Sequence, residues 1–337
     1  MTPASTLLSA LRDAADGSSP PGRGVLLTGP VGPDGDSLGA CFAMQRVLRR
    51  FGVHADVAGT HSYRYAWLPG AASMVPDEQV APSYRSVVIL DGDRHRLTPP
   101  VEAAFEAAEV RGIVDHHQST RPDGYTHPWL DPAAESTCGM LLRACGPQEW
   151  DVPLDTELAT LLYTGLAFDT GGFRYSNTTP DSHRAAAELL AKGVDHVSVC
   201  ARMFAERRAE GVLATGEILS SARWLHGRAL CVSRVPLELQ RRLGLVDGDF
   251  EGVVDALVHT IGTHVAALLV ERSDGSVRVS LRSRGEVDVA AVAGSVAPTG
   301  GGHRKAAGAT VHGTLDEVEE RIAKAVATHG GSRERAT

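Results

Sequence analysis

Three short apolar runs in the first third of the chain, at residues 24–28, 86–90 and 111–114, are each followed by turn residues that carry aspartate. The runs are rich in Val, Ile and Leu, show no polar alternation, and are separated by stretches of helical period at 38–48 and 101–108. Continuous apolar strands joined through helices predict an α/β domain whose parallel sheet is covered by helices on both faces. In such sheets ligands bind beyond the carboxyl ends of the strands, where these aspartates fall. The candidates are Asp34 and Asp36 in Pro33-Asp34-Gly35-Asp36, Asp91 in Asp91-Gly92-Asp93, Asp115 with His116 and His117, and Asp169 before Thr170-Gly171.

At 337 residues the chain exceeds what one core usually organises, so two domains are expected. Helices are predicted at 135–144, 154–168 and 182–192, the last capped by Gly193, and further helix at 196–220. Beyond it the texture changes to strands at 224–235, 263–271 and 276–282, with helices at 287–296 and 315–328. The expected division is an α/β domain carrying the aspartates over 1–195, a helical connector over 196–221, a smaller α/β domain over 222–330 and a frayed tail over 331–337.

Composition narrows the functions. With 33 Lys+Arg against 41 Asp+Glu the formal charge is −8, which argues against coating long nucleic acid and leaves short anionic ligands open. Five scattered cysteines, Cys41, Cys138, Cys145, Cys200 and Cys231, form no Cys-x-x-Cys pair and read as free thiols. Residues 1–17 do not form a signal peptide, and no apolar run reaches the roughly 18 residues of a membrane span, so a cytoplasmic protein without membrane contact is expected.

An isolated Asp-Gly-Asp is ordinarily a turn, and Asp-Thr-Gly an ordinary helix end. Several such segments in order at one sheet edge are different. Four converging carboxylates repel one another unless protons or divalent cations compensate. An oxygen-rich set with one imidazole suits manganese or magnesium better than zinc, and paired ions of this kind support attack of water on phosphorus.

Near the end, Gly300, Gly301 and Gly302 precede His303, Arg304 and Lys305. Consecutive glycines admit an anion close to the backbone and the basic run adds donors, which together suggest a phosphate-cradling loop. On the preceding strand, period two places Ser280, Arg282 and Arg284 on one face and Val279 and Leu281 on the other. Arg174 and Tyr175 are weaker candidates for substrate contact, and Ser136-Thr137 reads as helix capping.

The ordered set Pro33-Asp34-Gly35-Asp36, Ile89-Leu90-Asp91, Val114-Asp115-His116-His117 and Phe168-Asp169-Thr170-Gly171-Gly172 resembles the DHH phosphoesterase superfamily, in particular its branch of nano-RNases and 3′-phosphoadenosine-5′-phosphate (pAp) phosphatases. Leu281-Arg282-Ser283 with the Gly-Gly-Gly-His segment is similar to the DHH-associated C-terminal domain. The resemblance implies two Mn²⁺ ions, with Mg²⁺ as a substitute: Asp91 bridging, Asp34 in the first site, and Asp36, His116 and Asp169 in the second. It further implies that Asp115 supports the centre, that His117 orients the scissile phosphate, and that Arg282, Ser283, Gly300, Gly301, Gly302, His303 and Lys305 bind substrate. The substrates implied are very short oligoribonucleotides, linear or cyclic dinucleotides and pAp, and a homodimer is an expectation of the resemblance alone.

One position departs from that pattern. Family members carry His four residues before the first motif Asp, and here Pro30 stands there. Either another group such as His61 or a water completes the first site, or the chain holds one ion firmly and turns over slowly. The competing function is therefore a nucleotide-binding protein with weak or no turnover.

Overall fold

The computed structural model describes residues 1–15, 24–60 and 63–330, so His61 and the tail 331–337 lie outside the described residues. The chain divides into two compact units, Met1–Glu206 and Arg207–Thr337. Among the described residues no helix is long and apolar enough to cross a membrane.

The first unit runs α1 (Pro3–Ala15), β1 (Val25–Thr28), α2 (Gly35–Arg50), β2 (Ala55–Ala58), β3 (Ser86–Leu90), α3 (Pro99–Ala107), β4 (Val110–Asp115), β5 (His127–Leu130), α4 (Thr137–Ala144), α5 (Thr156–Asp169), α6 (Pro180–Ala191) and α7 (His196–Cys200). Among the described residues its five strands lie in the order β2-β1-β3-β4-β5, all parallel. Successive residues of β3 face opposite cores: Val88 and Leu90 join Val25, Leu27 and the α2, α4 and α5 side chains, while Val87 and Ile89 join Leu26 and Phe105 of α3. Both faces are thus buried, which is why these strands lack polar alternation.

After β1 the chain steps to β2 on one side and then crosses to β3 on the other. The connections following β1 and β3 therefore splay apart and open a crevice at the carboxyl edge between them. The strands β2 and β5 are not among those the sequence predicts; each has only four residues, and β5 contains a proline.

The expected helix at 196–220 is interrupted. After α7 comes a single π-helical turn, Ala201–Ala205, and Glu206 is extended at φ −65°, ψ 131°. The buried Arg64 guanidinium donates to the carbonyls of Met203 and Glu206, taking acceptors that a continuing helix would need.

The second unit contains α8 (Ala209–Ser220), β6 (Arg223–Leu225), β7 (Leu230–Val235), α9 (Leu237–Leu243), α10 (Val253–Val258), β8 (Val265–Glu271), β9 (Ser276–Ser283), α11 (Val289–Val296), β10 (Gly301–His303), β11 (Ala306–His312) and α12 (Leu315–Gly330). The mixed sheet has the order β10-β11-β9-β8-β7-β6, with β7 and β8 parallel and the other pairs antiparallel. Val277, Val279 and Leu281 face the α11 and α12 side of the sheet, as the period-two reading requires. The single strand expected at 224–235 is instead a hairpin, broken by left-handed residues His226, Gly227 and Arg228.

Candidate metal centre

Asp34 is the N-cap of α2: its Oδ1 accepts from the amides of Asp36 at 3.0 Å and Ser37 at 3.1 Å. Asp36, in the first turn, is fully buried and points at the start of α4. There its carboxylate accepts from the amides of Thr137 at 2.6 Å and Cys138 at 2.9 Å. The orphan donors of a helix N-terminus thus seat a carboxylate 101 residues away in sequence.

Asp91 follows β3 in the left-handed region at φ 63°, a conformation that costs a non-glycine residue energy and directs its side chain over the sheet edge. Its amide donates to Val114 at 3.0 Å, and its Oδ1 accepts from Thr137 Oγ1 at 3.2 Å. His116, just past β4, lies with Nδ1 3.2 Å from the Ala134 carbonyl. Nδ1 can only donate to a carbonyl, so Nε2 carries the lone pair when the ring is neutral. That Nε2 lies 2.8 Å from Asp169 Oδ2, 3.4 Å from Asp91 Oδ1 and 4.0 Å from Asp36 Oδ2.

Asp36, Asp91, His116 and Asp169 therefore each offer a ligand atom, all within 4.8 Å of one another. Three carboxylates and an imidazole of the metal-ligating tautomer fit a hard divalent cation, and these residues would hold it. Beside them Asp115 Oδ1 lies 2.7 Å from His117 Nδ1, and its other oxygen accepts from Thr120.

Electrostatics carry the same message. Burial, then the charges of Asp91 and Asp169, push Asp36 well above the usual carboxylate range and Asp34 to about 8. Burial also raises Asp169. Asp91 goes the other way: burial would raise it, but the His116 hydrogen bond and the His117 and His116 charges outweigh that and hold it below the usual range. Burial opposes charge on the two histidines as well, yet hydrogen bonds to Asp169 and Asp91 lift His116 to about 12, and Asp115 lifts His117 to about 9. Without a cation, protons neutralise the carboxylate crowd, and a cation must displace them.

A pH dependence follows. Asp34, His117 and His116 have raised folded-state values, so their stabilisation is full at low pH and is lost as pH rises towards about 8, 9 and 12 respectively. The depressed Asp91 contributes a constant amount over this window. The thermal midpoint of the metal-free chain is expected to fall between pH 6 and 9, with Mn²⁺ raising it more at pH 9 than at pH 6. Scanning fluorimetry with and without chelator measures both.

Of the sequence-derived residues in the first unit, the structure gathers Asp36, Asp91, His116 and Asp169 into one group and Asp91, Asp115 and His117 into another. Asp34 belongs to neither group. Arg174 and Tyr175 serve the local turn: Arg174 Nε donates to Gly171 at 2.6 Å, and the Tyr175 ring covers Gly171, whose absent Cβ would lie 2.4 Å from it. Two contributors were missed. Ser136 caps α4 as expected, but Thr137 also holds Asp91, and Asn177 Nδ2 donates to the carbonyls of Asp169 at 3.1 Å and Glu135 at 3.0 Å. A threonine at a helix start carries no local sign of such a partner.

In the second unit, the predicted substrate residues gather at one end of the sheet, where Arg282 pairs with Ala306 and His303 with Ala306 across neighbouring strands. The glycine segment is not the expected loop: Gly301 and Gly302 belong to β10 of a hairpin. Gly300 and Gly302 are packing positions, since a Cβ would lie 2.1 Å from the Ala293 carbonyl and 2.6 Å from the Ala306 carbonyl. Gly301 faces open space. Arg282 Nε donates to Asp255 Oδ1 at 3.0 Å, the Lys305 ammonium donates to the Gly285 carbonyl, and Ser283 is buried.

Comparison with known proteins agrees with both halves. The profile of the DHH family, N-terminal domain, matches residues 24–166, and that of the DHHA1 domain matches residues 229–328. The chain is 31% identical over 304 residues to the bifunctional oligoribonuclease and PAP phosphatase NrnA of Thermus thermophilus, covering 88% of this chain and 87% of that one. It is 24% identical to the protein of the same name from Bacillus subtilis, covering 89% and 92%. A crystal structure of an exopolyphosphatase-related protein from Bacteroides fragilis superposes with a TM-score of 0.83 at 21% identity, covering 96% of both chains.

Proposed function

The chain belongs to the DHH family of phosphoesterases and is a hydrolase of that kind, and from this premise we propose that it is a Mn²⁺-dependent enzyme acting on very short oligoribonucleotides, dinucleotides and pAp-like nucleotides. The observation that carries the reading is the four-donor group of Asp36, Asp91, His116 and Asp169 at the switch point of the parallel sheet. The two relatives named as oligoribonuclease and PAP phosphatase, each aligned over most of its length, support this substrate class. The net charge of −8 supports short substrates over long strands.

A cation bound there supplies Lewis-acid charge, lowering the pKa of water and offsetting charge that develops at phosphorus. The protein groups have distinct tasks. Thr137 and the α4 amides fix the orientation of Asp91 and Asp36, so the ligand oxygens need little reorganisation. Asp115 holds His117 through Nδ1, so that Nε2 is the atom presented to a phosphate oxygen. Within the second unit, Arg282, Ser283, Gly300, Gly301, Gly302, His303 and Lys305 are the proposed nucleotide contacts.

The test is hydrolysis with Mn²⁺ of pAp, linear and cyclic dinucleotides, and a long single strand. The expected outcome is turnover of pAp and short substrates at rates at least about tenfold above the long strand, and loss of activity with chelator. Cleavage of the long strand as fast as the dinucleotides contradicts the short-substrate reading, and absence of turnover on every substrate leaves the nucleotide-binding alternative.

A further inference from the structure

We propose that this chain holds one divalent cation firmly, on Asp36, Asp91, His116 and Asp169, and that the Pro30 side of Asp91 offers no second firm site. The inference rests on the metal-dependent reading above and adds a stoichiometry to it.

Three observations carry it. First, Asp34 falls outside every group of three or more ligand atoms within 4.8 Å among the described residues. Second, Pro30 brings an apolar surface against the residue next to Asp91. A Cβ built on Gly92 would lie 3.0 Å from Cβ, Cγ and Cδ of Pro30, so the buried proline ring abuts the residue that follows Asp91. The side chain at position 30 thus packs against the residue that follows Asp91, and the pyrrolidine ring has no donor atom to offer there. Third, the other acidic group, Asp91 with Asp115 and His117, is internally satisfied: Asp115 bonds His117 at 2.7 Å through one oxygen and Thr120 through the other. An ion on Asp115 Oδ1 would compete with His117 for that oxygen.

A second ion would therefore depend on Asp34 and a share of Asp91. Losing even a supporting partner of a metal ligand costs 10–100-fold in affinity, so a site short of whole ligands is expected to bind at least about 100-fold more weakly than the four-donor site.

The experiment is Mn²⁺ titration of the full chain, followed by calorimetry, native mass spectrometry and electron paramagnetic resonance. The expected result is one Mn²⁺ per chain with the six-line spectrum of an isolated ion, and a second event at least about 100-fold weaker. Pro30→His supplies an imidazole beside Asp91 and is expected to raise the count to two, with an exchange-coupled spectrum. Asp34→Asn keeps the helix cap and is expected to leave the firm ion within about twofold of wild-type affinity, while Asp36→Asn removes it. Two ions of matched affinity in the wild type, or a large loss of the first ion on Asp34→Asn, overturns the proposal. These results are separate from the activity reading: one firm ion without hydrolysis of any short substrate defeats the proposed function and leaves the stoichiometry standing, and no bound ion defeats both.

Discussion

Asp91→Asn is expected to lower Mn²⁺-supported hydrolysis of pAp by at least about 10³-fold while the chain stays folded. Asparagine tolerates left-handed backbone better than most residues, so the φ of 63° and the amide bond to Val114 survive. Its amide oxygen also still accepts from Thr137 Oγ1, which approaches Asp91 Oδ1 at 3.2 Å. What is lost is the charge that faces the His116 ring and that is proposed to draw the cation to the same point. A cation offsetting charge at phosphorus contributes several kcal/mol to the transition state, and each 1.36 kcal/mol is tenfold in rate. Circular dichroism, metal content and initial rate on one preparation separate a lost site from a lost fold. Asp93→Asn is the comparison: Asp93 caps the next turn through the His95 amide and belongs to neither ligand group, so its rate should stay within about threefold. A wild-type rate in Asp91→Asn contradicts the assignment of the centre.

Gly165→Ala is expected to destabilise the first unit and disturb the candidate centre. A Cβ there would lie 2.2 Å from Asp36 Oδ1, 2.3 Å from Cys138 Sγ and 2.7 Å from Cys138 Cβ, far inside contact distance. Gly39 faces the same crossing, with its missing Cβ 2.7 Å from the Leu161 carbonyl. The methyl must push α5 away from α2 and α4 or displace the Asp36 carboxylate from the Thr137 and Cys138 amides. Overpacking of this kind costs about 1–3 kcal/mol or more, and Mn²⁺ affinity should fall with it. Gly216→Ala gives the contrast, because a Cβ on that residue of α8 meets nothing within 4 Å. There the better helix propensity of alanine is expected to stabilise by up to about 1 kcal/mol. Thermal midpoints of the two variants moving in opposite directions from wild type test the packing at both places, and equal shifts contradict it.

The apolar runs that became β1, β3 and β4 were readable because burial on both faces leaves an unbroken hydrophobic signature. β2 and β5, four residues each, carry too few positions for any period to register. The helix expected through residues 196–220 has the periodicity of one helix, and its interruption is decided by Arg64 from far along the chain. The glycines at 300–302 read as a loop because the carbonyls of Ala293 and Ala306, which exclude side chains there, are brought in only by α11 and β11.

For the candidate centre the division has a plain physical origin. The order of residues alone determined the donor types and their placement, since turn chemistry puts aspartate and histidine immediately after strands and helices. Only tertiary structure decided which donors meet. Sheet order 2-1-3-4-5 brings the ends of β1, β3 and β4 together, and the α4 amides turn Asp36 inward. Asp34 was committed to its own helix cap, and Pro30 was packed against Gly92. Local sequence reports the preferences of a residue and its near neighbours; the balance of charge, burial and hydrogen bonding at a shared point depends on groups that only the folded chain brings within a few ångströms.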